Sequence, residues 1–167
     1  VHIILLVYWL GADLGVLLLA RAARRRDLGF AERAFALRMA MLIDFTPRIC
    51  FALMFPVGLL LTATGGFAIV PAWALAASWA VAAGWIMLLF ALAANEGQPR
   101  ALALNRAHLA LQGLLMLLIG GAGLNSVLGN GPFPAGWLAA KVLLFGLIFA
   151  ASIGIDYAFR PVVPAFV

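Results

Sequence analysis

The chain has 167 residues, 66% of them hydrophobic and 10% charged, with a mean hydropathy of +1.13 and a formal net charge of +5. A soluble domain carries about 45–50% apolar and about 25% charged residues, and one core at this length could not hide so much apolar surface. A water-bathed globule is excluded, and lipid has to solvate much of the outside.

A bilayer span needs about 20 mostly apolar residues. Residues 3–20, 37–63, 72–94, 102–124 and 137–159 meet that requirement. Long runs without alternation do not suit a barrel, and isolated strands would leave backbone groups unpaired in hydrocarbon. The expected fold is all-α, a polytopic bundle of five transmembrane helices forming a single transmembrane domain over residues 1–167.

The first run opens with His2, carries Gly11 and Gly15 as a G-x-x-x-G around Asp13, and ends at Arg21. Small residues at that spacing favour close helix approach, so another helix is expected against them. The run is too long for a signal peptide and no small-residue cleavage site follows it; a chain beginning at Val1 is expected to be preceded by at least an initiator Met. The connection that follows holds Arg24, Arg25 and Arg26. Residues 27–38 then set Leu28, Ala31 and Phe35 against Glu32 and Arg33, a pattern that predicts a short interfacial helix.

The second run contains Asp44, Arg48, the lone Cys50, and two prolines. A single buried Cys reads as a small hydrophobe, and no disulfide framework or Cys-based metal site is expected. Pro47 and Pro56 remove the helix bonds to the carbonyls of Ile43 and Ala52, which predicts a kinked, locally polar segment. Gly65-Gly66 marks a turn, and Trp73 and Trp137 sit at span ends where indoles favour the headgroup level. In the fourth run Asn105, His108 and Gln112 make one polar stripe, while Gly120, Gly121 and Gly123 thin its other half, leaving room for a neighbour or a flat ligand. His108 reads as a hydrogen-bonding partner or, in the sharper reading, as an axial haem ligand. Residues 129–134 form a Gly/Pro-rich turn, and the last run carries Lys141 and Asp156 before Arg160.

The cations fall unevenly. Arg21, Arg24, Arg25, Arg26, Arg33 and Arg38 flank the first connection, Arg100 and Arg106 the third, and Arg160 follows the last span; residues 65–71 and 125–136 have no Lys or Arg. Positive-inside bias predicts an external N-terminus and a cytoplasmic C-terminus. The arginines then report topology rather than nucleic-acid binding, and no nucleic acid is expected as a partner. An Ala/Leu/Arg-rich composition with this bias suits a bacterial inner membrane.

Ionisable groups inside a bilayer are expensive and need a partner, a cavity or a function. At about 1.5 Å of rise per residue, Asp13 lies about 12 Å in from Arg21, while Asp44 and Arg48 lie about 9 Å and about 15 Å in from Arg38. The three form one expected layer, with Asp44 and Arg48 at i, i+4. It reads either as helix glue or as a polar pocket for a proton or an anionic ligand. Lys141 lies about 7 Å inside the opposite edge, the leaflet that also holds His2. It could share a site with His2, or snorkel to the headgroups.

The opening His2-Ile3-Ile4 with Trp9, Gly11 and Arg21, and the segment Gly136-Trp137-Leu138-Ala139-Ala140-Lys141, resemble the first helix and the Gly-Trp-Leu-x-x-Lys helix start of the small bacterial membrane protoporphyrinogen oxidases and their copper-resistance-D relatives. The resemblance involves the first and last helices only. It implies a b-type haem as cofactor and His2 and Lys141 as site residues, with His108 a further candidate for cofactor binding.

Three functions are compatible with these residues. One is a membrane subunit or assembly partner of a larger complex, with other membrane proteins or further copies of the chain as partners. Another is a haem b-binding membrane protein of the resembled family. The last is a small transporter using the Asp13/Asp44/Arg48 layer, although no internal repeat supports a transporter fold. Hydrolase or nuclease chemistry finds no nucleophile–base or metal constellation, since Ser78, Ser126 and Ser152 have no His at usable spacing.

Overall fold

A computed structural model describes residues 1–159. Arg160 and the Asp156 side chain, both singled out above, lie outside the described residues. Those residues form helices α1 (His2–Ala23), α2 (Phe30–Thr64), α3 (Ala72–Ala94), α4 (Pro99–Leu115), a π-helical turn (Met116–Gly120), α5 (Gly121–Val127) and α6 (Gly136–Phe159), and no strand is found among them. Five helical stretches are long and apolar enough to cross a membrane, α4, the π turn and α5 together making the fourth. This is a multi-pass membrane protein.

Four of the five observed spans begin earlier than expected, most of all α2, while the third begins at Ala72 as expected. The 27–38 segment is no separate interfacial helix: from Phe30 it runs without a break into the second span. Nothing between Phe30 and Thr46 is Gly or Pro, and Ala, Leu, Met, Glu and Arg are strong helix formers. Glu32 fixes the start, its Oε2 accepting the Gly29 N–H at 2.9 Å, one half of a capping box. The end of α1 is closed from the same place, where Arg33 Nε donates to the Ala23 carbonyl at 2.8 Å. That bond satisfies an orphan helix carbonyl with a cation at the negative pole of the helix dipole. Between the helices Arg25 and Asp27 pair on the surface, both well exposed. The ion pair holds the Asp27 carboxyl below the usual carboxylate range and raises Arg25 above its own.

Pro47 and Pro56 lie inside α2 without ending it, and both are fully buried. Two turns share one solution to helix termination. Gly66 (φ +71°) lets Phe67 N–H reach the Thr62 carbonyl at 3.1 Å and Gly66 N–H the Ala63 carbonyl at 3.3 Å. Gly129 (φ +86°) does the same for Asn130 onto Asn125 and for itself onto Ser126, each at 3.0 Å. Both are Schellman motifs, in which a left-handed residue after the last turn recovers two carbonyls.

The chain divides into two compact units. The first comprises Val1–Leu60 and Leu75–Leu89, the second Leu61–Ala74 and the chain from Phe90 onward. In the first, Phe51 of α2 ties three helices, with Trp9 of α1 at 5.0 Å between ring centroids and Trp85 of α3 edge-on at 5.7 Å. Such tilted and edge-to-face pairs are the favoured aromatic geometries. Around them Cys50, Ala52, Met54 and Leu89 are buried.

In the second unit α6 packs on the fourth span through glycine. A Cβ at Gly146 would collide with the Gly120 backbone, and one at Gly123 with the backbone of Leu143. Backbones therefore touch directly, the arrangement by which membrane helices gain dispersion contact without a hydrophobic driving force. Phe149 is buried against Phe145, with ring centroids 5.4 Å apart. Phe67 meets Trp137 edge-on at 5.1 Å.

Candidate functional site

Three polar groups of the first unit lie at bilayer depth. Asp44 and Arg48, one turn apart on α2, close an ion pair in which the guanidinium Nη2 lies 2.6 Å from Oδ2, and Nε donates to the same oxygen at 2.6 Å. Both donors converge on one carboxylate oxygen, a charge-assisted contact that leaves Oδ1 outside the fork. The Asp13 carboxylate accepts a hydrogen bond from the Trp9 side chain one turn back on α1, and feels the charges of both Asp44 and Arg48. The layer expected from counting rises along two helices is thus assembled.

Its surroundings are unlike those of a core cluster. Side-chain exposure is 28% for Asp44 and 38% for Arg48, and Asp13 is exposed. Two carboxylates face one guanidinium. On the opposite face of α1 from Asp13, a Cβ built at Gly11 or Gly15 would meet nothing within 4 Å. No residue of the apolar window of α1 is buried. No helix of the first unit lies against the G-x-x-x-G. Spacing fixes which residues share a face, but not whether the neighbour belongs to the same polypeptide.

The polar stripe of the fourth span is present with one addition. His108 and Gln112 are buried, and Asn105 is half-buried. Gln112 Nε2 lies 3.4 Å from His108 Nε2 and donates to Ser152 Oγ of α6 at 3.4 Å. Its Oε1 is buried with no hydrogen-bond partner among the described residues. Ser152, set aside in the sequence for want of a nearby histidine, thus reaches the stripe through Gln112. The π turn four residues beyond Gln112 was not foreseen; such turns often mark functional segments, and no residue type in 116–120 announces one. Beside Gly123 the α6 backbone leaves no room for a ligand, Gly120 is in ordinary contact with Gly146, and nothing lies within 4 Å of a Cβ at Gly121.

The two outer-half candidates fall in different units. His2 Nε2 would lie 3.2 Å from a Cβ at Gly58, so its imidazole rests on the glycine of α2. Lys141 is exposed on α6, its Nζ 5.0 Å from the Trp137 ring centroid in a cation–π contact with its own helix. Cys50 is buried within α2. Among the described residues no three His, Cys, Asp or Glu side chains gather as a metal site would require. Set against known proteins, the chain matches no family model, no curated protein and no solved structure.

Proposed function

We propose that this chain is an integral membrane subunit, an assembly partner within a larger complex of a bacterial inner membrane, oriented with its Arg-rich connections in the cytoplasm. One observation carries the reading: no residue of the apolar window of α1 is buried, so its open glycine pair and, on the opposite side, the exposed Asp13 carboxylate are both left uncovered. A charge exposed to lipid on a central helix turn costs about 2.5–3.5 kcal/mol on insertion scales. A neighbouring subunit that covers Asp13 removes that cost, and a helix seated on Gly11 and Gly15 on the other side gains close backbone contact. The polar groups of the chain then serve packing and register rather than turnover.

The test is site-specific photocrosslinking from Leu14 and Leu18 of α1 in native membranes, with native mass spectrometry of the extracted complex. One discrete protein adduct of fixed stoichiometry is expected. Lipid adducts alone, with a monomeric mass, would overturn the reading. The haem-binding function implied by the resemblance has its own measurement, the reduced-minus-oxidised spectrum with a pyridine haemochromogen assay. A b-type signal near one per chain that is lost in His2→Ala or His108→Ala would replace the subunit reading with a cofactor one.

A further inference from the structure

We infer that the connection between α1 and α2 is a binding surface for the headgroups of anionic phospholipids, presented by Arg21, Arg24, Arg26 and Arg38. The inference stands independently of the assembly reading.

The first observation is which arginines already have partners. Residues 21–38 hold six arginines against Asp27 and Glu32, a surplus of four positive charges. Both carboxylates are engaged within the connection, Asp27 by Arg25 and Glu32 by the Gly29 N–H. Arg33 donates to the Ala23 carbonyl. Arg21, Arg24, Arg26 and Arg38 are exposed and make no side-chain hydrogen bond or ion pair among the described residues. The surplus charge therefore lies on guanidiniums whose donors are uncommitted. A planar fork of such donors matches the oxygens of a phosphate. The backbone beneath them is tied, since the Arg33 bond joins the start of α2 to the end of α1.

Length puts this surface at headgroup level. The 35 residues of α2 make a helix of about 52 Å, against a hydrocarbon core of about 30 Å. Residues 65–71, past one end of α2, carry no charge, while Arg33 and Arg38 stand in the first three turns at the other. The excess length therefore falls at the arginine end. Phe30 and Phe35, 67% and 63% exposed, stand in the same turns and offer rings to the acyl chains that border the headgroups. Uncommitted guanidiniums beside exposed rings fit a molecule that is anionic at one end and apolar at the other. The third connection lacks this combination: Glu96 accompanies Arg100 and Arg106, and no aromatic residue lies between Ala91 and Arg106.

The experiment titrates the full chain in mild detergent with phosphatidylglycerol or phosphatidylcholine of the same acyl chains, and native mass spectrometry reads the bound lipid. Phosphatidylglycerol is expected to bind at least about tenfold more tightly, with a preference that falls as salt is raised. Arg21→Gln, Arg24→Gln, Arg26→Gln and Arg38→Gln together should reduce the preference to within about twofold. Arg100→Gln with Arg106→Gln should leave it intact, and circular dichroism checks that both variants keep their helices. Equal affinity of the unaltered chain for the two lipids would overturn the inference without recourse to any variant. A preference that the third-connection variant removes, or that survives loss of the four arginines, would overturn it too. Inorganic phosphate or an RNA oligonucleotide that displaces the lipid at equal concentration would replace the lipid with a free anion or a nucleic acid as the ligand.

Discussion

The crossing of α6 on the fourth span offers the sharpest quantitative test, because backbone meets backbone there and no side chain can yield. In Gly146→Ala the new methyl would lie 2.7 Å from Gly120 N, against 3.4–4 Å for ordinary contact. The two helices must part by at least the difference, 3.4 minus 2.7, or about 0.7 Å, along a seam that also includes Gly123 and Leu143. Overpacking of this kind costs about 1–3 kcal/mol, while the gain in helix propensity from Gly to Ala returns at most about 1 kcal/mol. A net loss of about 1–2 kcal/mol is expected. Gly154→Ala on the same helix is the control, since its methyl would meet nothing within 4 Å; it should be neutral or stabilising by up to about 1 kcal/mol. Both are read by SDS titration with circular dichroism in mild detergent micelles. Equal stability of the two variants would refute the tight crossing, whatever the absolute values.

Three further outcomes are expected. Arg48→Met leaves two carboxylates at bilayer depth without their local cation and should cost about 2–3 kcal/mol, whereas Asp44→Leu with Arg48→Met should recover at least half of it. A double-mutant cycle on the same SDS titration measures this, and additive losses would mean that the pair is not coupled. In the first connection the Asp27 carboxyl, depressed by Arg25, should titrate below the ordinary value in a carbon-13 NMR series, and Arg25→Gln should return it there. Because the folded value lies below the unfolded one, the contribution of the pair is complete above the unfolded value and is lost as pH falls through the folded one. In the second unit Gln112→Met removes a buried amide with one unpaired atom and should be neutral or stabilising by about 1 kcal/mol. A loss of more than about 1 kcal/mol would show that the amide's bonds to Ser152 and His108 outweigh its unpaired oxygen.

Much of the architecture is legible in the chain because hydrophobic length and breakers act locally. The third span is read to the residue, 72–94, between Pro71 and Asn95. The depth match of Asp13 with Asp44 and Arg48 follows from a constant helical rise, and the i, i+4 pair from helical angle. What the sequence withholds depends on tertiary placement. That Ser152 meets Gln112 requires the register of α6 on the fourth span, which glycine backbone contacts set and no local pattern encodes. The π turn at 116–120 inserts a residue into a uniformly apolar stretch, where one more Leu or Ile leaves no trace in composition. The amphipathic signal of 27–38 was real, since Leu28, Phe35, Glu32 and Arg33 do alternate in character; length alone misassigned it, because α2 continues past the thickness of the hydrocarbon.

The two prolines of α2 are nine residues apart, about 2.5 helical turns and about 13.5 Å along the axis. They therefore project from opposite sides of the helix, and both are nonetheless covered by protein. Each proline bends a helix away from its own ring. Two bends half a turn out of phase cancel in direction and add in displacement. Two bends of about 20° each would leave the Thr64 end of α2 parallel to its Phe30 end and stepped sideways by about 4–5 Å. Such a step would be a crankshaft rather than a hinge: straightening either bend alone would swing the end of the helix near Thr64, and straightening both would slide it without changing its tilt.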